Sequence, residues 1–139
     1  MTDETRRAVE DIYDAYVRRE FDRVAARLAE DVAWVIHAPR ALFPFAGRRQ
    51  GRRAVLEALG GIATEYAIEG YEPKHVIVDK DRASVVSDVV FLHRARQRRL
   101  NFRIVDLLRI ENGMVVEFEE FIDTFDVAEQ ALGHHLTLS

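Results

Sequence analysis

The chain has 139 residues, which supplies one hydrophobic core and leaves no room for a second domain. Apolar residues make up 48% and charged residues 32%, an ordinary globular balance, and the absence of cysteine removes disulfides, thiolate nucleophiles, cysteine zinc sites and iron–sulfur clusters. A net charge of −4, apolar runs too short to span a bilayer and an N-terminus without a cationic-then-apolar pattern lead to one expectation: a single cytoplasmic domain over residues 1–139, with no nucleic-acid or membrane partner.

Val9, Ile12, Tyr13, Tyr16 and Val17 recur at the three-four spacing of one helix face and predict a first helix over about residues 5–20. Asp22 can cap a second, short helix whose apolar positions Val24, Ala25 and Leu28 carry it to Asp31. The β-branched and aromatic run 32–36, followed by His37-Ala38-Pro39, reads as a short buried strand. Residues 39–51 hold two prolines, two glycines and the bulky pair Phe43 and Phe45, and fit neither period; they predict a long loop or lid. Ala54, Val55, Ala58, Leu59 and Ile62 restore helical spacing, weakened by Gly60 and Gly61.

After Gly70 the pattern turns to strands over 74–78, 83–94, 100–110 and 114–123, parted by the turn-like 79–81, 96–98 and 111–113. A last helical turn covers 127–132. Helices followed by an antiparallel meander define an α+β fold with three helices in the N-terminal half.

The most informative stretch is 100–110. Alternation places Leu100, Phe102, Ile104, Asp106, Leu108 and Ile110 on one face, so a single acid interrupts an apolar row. On the next strand Met114, Val116, Phe118, Glu120 and Ile122 share a face, again with one acid. A three-residue loop 111–113 with a bulge at Gly113 sets Asp106 opposite Phe118 and makes Glu120 its diagonal neighbour, roughly 7–8 Å away. A two-residue loop at Asn112-Gly113 would instead put the two acids on opposite faces. A carboxyl group in an apolar concavity has its charged form disfavoured, and a second carboxyl nearby pushes the same way, which suits proton transfer near neutral pH. The alternative is that the acids are satisfied structurally and do no chemistry.

Tyr13, Tyr16 and Trp34, with Phe102 and Phe118 on the strands and Phe43 and Phe45 on the lid, either pack a plain core or line a pocket for an apolar small molecule. The opposite sheet face carries Val105, Leu107 and Phe121 among charged residues, a mixed surface that predicts a homodimer through the outer sheet face. His93 and His134-His135 have no metal-ligand spacing, and no Gly-rich phosphate loop is present, so neither metal nor other cofactor is expected.

Several stretches carry a family likeness: Phe21-Asp22 through Leu28-Ala29-Glu30-Asp31-Val32, then Gly51-Arg52-Arg53-Ala54-Val55, then Val105 through Val116, and Phe121-Ile122-Asp123-Thr124. Together they resemble the SnoaL-like and ketosteroid-isomerase-like members of the nuclear transport factor 2-like superfamily. The resemblance implies a cone-shaped fold in which a curved antiparallel sheet packs on the helices. It puts Asp106 where the steroid isomerases hold a protonated aspartic acid against a developing enolate. Their accompanying tyrosine falls at Ile12, and their general base falls near Ile36 and His37, which makes His37 a candidate base. In the related limonene-epoxide hydrolases, Glu120 matches one acidic position and Asp88 lies one residue from another, while Val86 stands where an arginine is expected. SnoaL-type cyclases use one acid as a proton shuttle, which a site of Asp106 with His37 or Glu120 would satisfy. The resulting expectation is an isomerase- or cyclase-type enzyme acting on an apolar ligand, with a non-catalytic binding or dimerisation module and an epoxide-hydrolase-like activity as alternatives.

Overall fold

The computed structural model describes residues 2–138. The first helix, α1 (Thr2–Val17), buries the stripe Ala8, Val9, Ile12, Tyr13 and Ala15. It ends earlier than the spacing predicts because Arg19 takes a left-handed φ of 57° and turns the chain. Helix α2 (Phe21–Ala26) is shorter than expected, since Leu28 already opens strand β1 (Leu28–His37). The reason is a competing backbone partner: the Val115 amide donates to the Arg27 carbonyl at 2.7 Å, drawing the chain onto the sheet.

Within the expected lid lies one short strand, β2 (Gly47–Gln50), which pairs antiparallel with β1. Helix α3 (Arg52–Glu65) runs straight through Gly60 and Gly61, where nothing crowds the helix surface. Strand β3 (Tyr66–Asp79) begins eight residues before its expected start, and its apparent breakers Gly70 and Pro73 sit at two register irregularities. Proline is tolerated there because β3 is an edge strand, where a missing amide breaks no ladder. Strands β4 (Arg82–His93), β5 (Arg98–Glu111) and β6 (Met114–Ile122) follow close to expectation. Helix α4 (Thr124–Leu132) is capped by Asp123, whose side chain accepts from the Asp126 amide, and stops at left-handed Gly133.

The six strands lie in the order β2-β1-β6-β5-β4-β3. Strands β3 to β6 form the predicted antiparallel meander, but β1 joins β6 in parallel, so the curved sheet is mixed. Helices α1 and α3 cover one face, and a single apolar cluster fills the space between them and the sheet. Among the described residues no helix is long and apolar enough to cross a membrane.

Candidate functional site

The β5–β6 hairpin positions both acids. Its turn is the two-residue type, with Asn112 and Gly113 at φ 52° and 73°, so Glu111 faces Met114 and Ile110 faces Val115. That register alone would separate the acids. One step further along, β6 carries an extra residue, Val116, and the pairing resumes with Arg109 opposite Glu117 and Asp106 directly opposite Glu120. The expected bulge therefore exists, but inside the strand and not at the turn, and it corrects two expectations. Asp106 faces Glu120 and not Phe118, and Val115 turns into the core, where it is fully buried.

Both carboxyl groups line a cavity of about 90 Å³ between the inner sheet face and helices α1 and α3. Its remaining wall is aliphatic and aromatic, with no lysine, arginine or histidine. Asp106 is 1% exposed and Glu120 is only partly buried. The Tyr13 hydroxyl donates to Asp106 Oδ2 at 2.5 Å, while Asp106 Oδ1 is buried with no conventional donor. Burial in this apolar wall pushes the Asp106 carboxyl up to about 7, against the opposing influence of its hydrogen bonds to Glu120 and Tyr13. Glu120 is pushed well above the carboxylate range by burial first, then by the Asp106 charge and their mutual hydrogen bond. Burial also holds Tyr13 and Tyr71 as neutral phenols.

Tyr13 stands one residue from the Ile12 position implied by the steroid isomerases. Helix α1 nevertheless presents Tyr13 to Asp106, and Ile12 contributes only apolar wall. Tyr16, Trp34, Phe43, Phe45, Phe102 and Phe118 all line the cavity. The Trp34 ring stacks on Phe118 with centroids 3.8 Å apart, and its indole N–H is buried without a partner.

Two site expectations are corrected. His37 follows cavity-lining Ile36 on β1 and so points to the other face of the sheet. There its Nε2 pairs with Glu119 at 2.7 Å and its ring stacks on Phe121. The sheet separates it from Asp106. Asp88 likewise alternates out of the core between Ser87 and Val89, and is held on the surface by Arg103 at 2.8 Å. That ion pair lowers its pKa in the ordinary surface manner.

Among the wall residues not foreseen are three aromatics, Phe91 of β4 and Tyr66 and Tyr71 of β3. Tyr66 and Tyr71 lie on the part of β3 that Gly70 and Pro73 made look like loop. Tyr71 packs against Tyr13 and Tyr16, with centroids 6.3 and 5.6 Å away. Among the described residues no group of histidine, aspartate and glutamate side chains is arranged to hold a metal ion.

Solved structures share this architecture. An isomerase candidate from Rhodopseudomonas palustris is 29% identical, with a TM-score of 0.87 over 91% of this chain and 97% of its own. A nuclear transport factor 2-like protein from Burkholderia xenovorans is 25% identical, with a TM-score of 0.82 over 94% and 98%. An LEH-like epoxide hydrolase from M. tuberculosis is 19% identical, with a TM-score of 0.77 over 95% and 92%, a likeness of fold alone. No curated protein matches the sequence. Residues 9–118, which run from within α1 through α3 and along the sheet as far as Phe118, match the SnoaL-like domain, and the chain belongs to that family.

Proposed function

We propose that this protein binds an uncharged, apolar small molecule in the cavity and moves a proton on it, with Asp106 and Glu120 as the acid–base pair. The observation that carries the reading is the pair itself: two carboxyl groups face each other inside a wall without a single cation. Such a wall disfavours an anionic ligand, and it disfavours a doubly ionised pair for the same reason. One proton between two carboxyls is then the resting state, and a neutral ligand is the one that enters without a desolvated charge. The cavity as it stands takes a ligand of a few non-hydrogen atoms, and a larger one requires Phe43 and Phe45 to move.

The hydrolase alternative is weaker, because Asp88 is on the outer face with Arg103 and never meets Glu120. The test is exchange of the hydrogens beside the carbonyl of acetone and cyclopentanone in heavy water, followed by proton NMR. The wild type is expected to accelerate it, and Asp106→Asn with Glu120→Gln together to remove roughly 10²–10⁴ of the rate, the usual contribution of a positioned acid or base. A double variant that exchanges as fast as the wild type would refute proton transfer at this pair.

The outer sheet face is the proposed dimer interface. Leu107 and Phe121, 44% and 41% exposed, lie there beside the Arg109–Glu117 pair and the stacked His37. Sedimentation is expected to give twice the chain mass at micromolar concentration, and Phe121→Lys to give one chain mass. A wild-type monomer would reject the interface.

A further inference from the structure

The two acids are not equivalent, and their placement separates their roles. Asp106 is sealed: it is 1% exposed, and the Tyr13 hydroxyl occupies its Oδ2. Its Oδ1 is buried and lacks any ordinary donor, a costly arrangement unless a proton from elsewhere fills it. Directly across the sheet, Glu120 is hydrogen-bonded to Asp106 and remains partly exposed on the cavity wall. On its other side Glu120 is paired in the sheet with Ile36 of β1. The titratable groups facing the pair from neighbouring elements are the phenols Tyr13 and Tyr16 of α1 and Tyr71 of β3, and none is basic.

We infer that Glu120 is the carboxyl that touches the ligand, and that Asp106, anchored by Tyr13, is a positioning residue that holds the proton of Glu120 at rest. This division rests on the proton-transfer reading above and deepens it. At rest the chain of bonds runs from the Tyr13 hydroxyl to an Asp106 carboxylate and from the Glu120 acid proton to Oδ1. The pair then carries one proton and one negative charge. A ligand C–H gives its proton to the outward oxygen of Glu120 and keeps the electron pair, while the proton that Glu120 held passes to Asp106 Oδ1. The carboxyl pair becomes neutral and the ligand takes the negative charge. Returning that proton to another carbon of the ligand restores the starting state, so no net proton is consumed. The opposite cycle, losing the shared proton first, would leave two charges side by side in an apolar wall.

The test uses the whole chain, with phenol as the cavity probe and carboxyl carbon-13 NMR as the readout. Phenol is expected to move the Glu120 carboxyl resonance more than that of Asp106. In Asp106→Asn, phenol still binds, and the Glu120 titration midpoint falls, because Glu120 loses an anionic neighbour and gains an amide donor. The ketone exchange profile of that variant moves to lower pH with the same midpoint, while Glu120→Gln loses roughly 10²–10⁴ of the rate without a shifted profile. A merely structural Asp106 would move neither midpoint. A phenol response confined to Asp106, no phenol binding at all, or an Asp106→Asn variant with the Glu120 midpoint unmoved would overturn the division. Absence of exchange in the wild type, with the NMR results as expected, would overturn the proton-transfer reading alone.

Discussion

Asp106→Asn is expected to be more stable than the wild type at pH 8 and about equally stable near pH 4. The folded-state pKa of Asp106 is raised from 3.8 to about 7, so between those values the native protein binds a proton that the unfolded chain releases. Stability from this group is therefore fully present below the unfolded value and is lost as pH rises through the folded one. At about 1.4 kcal/mol per unit, the loss reaches about 4 kcal/mol at most above pH 7. Asparagine has no such dependence, keeps the size of the side chain and still accepts from Tyr13. Glu120 is shifted in the same direction; in the variant burial still raises it while the Asp106 charge no longer does, so its contribution to the slope is reduced and not abolished. Asp11, Asp14 and Asp88 run the other way, since arginine partners hold them low, and they cancel when variant and wild type are compared. Urea unfolding at pH 4, 6 and 8 measures the difference. A difference that does not change with pH would mean that Asp106 titrates normally.

The second large effect is at Trp34. Replacement by alanine removes the face that stacks on Phe118 and opens the cavity toward β1, and it is expected to cost about 3–5 kcal/mol. Trp34→Phe keeps a ring on Phe118 and removes the one indole N–H, which is buried without a partner at a penalty of roughly 1–3 kcal/mol. The lost volume and the relieved donor oppose each other, so the phenylalanine variant is expected to stay within about 1.5 kcal/mol of the wild type. Thermal unfolding followed by circular dichroism separates the two. Equal losses for both variants would show that neither the stack nor the orphan N–H matters. Because Trp34 is the sole tryptophan, its fluorescence in the wild type also reports entry of a ligand into the cavity.

The elements whose residues repeat at a clear period were legible in advance. Helix α1 and the last three strands follow from their apolar spacing, and the lone acids at 106 and 120 stand out because each breaks an apolar row. The first half of β3 was hidden by Gly70 and Pro73, which mark loops in most sequences and here mark bends in an edge strand. Tyr71 was missed with it. The Val116 bulge could not be placed from sequence, because the turn residues fit two loop lengths, and bulge and loop trade off one residue against another. His37 was misplaced, and the face of Asp88 was left open, for a related reason. A one-residue uncertainty in a strand exchanges the inner face for the outer. The isomerase resemblance puts the tyrosine position at Ile12, yet α1 crosses the sheet so that Ile12 and Tyr13 both reach the cavity.

The most direct measurement of the central claim is infrared titration of the carboxyl bands in heavy water, with Asp106→Asn and Glu120→Gln as assignments. A shared proton in an apolar wall predicts a protonated-carboxyl band that persists at pH 7 and is altered by either variant. Ionisation of both groups below pH 5, with no such band at pH 7, would contradict it.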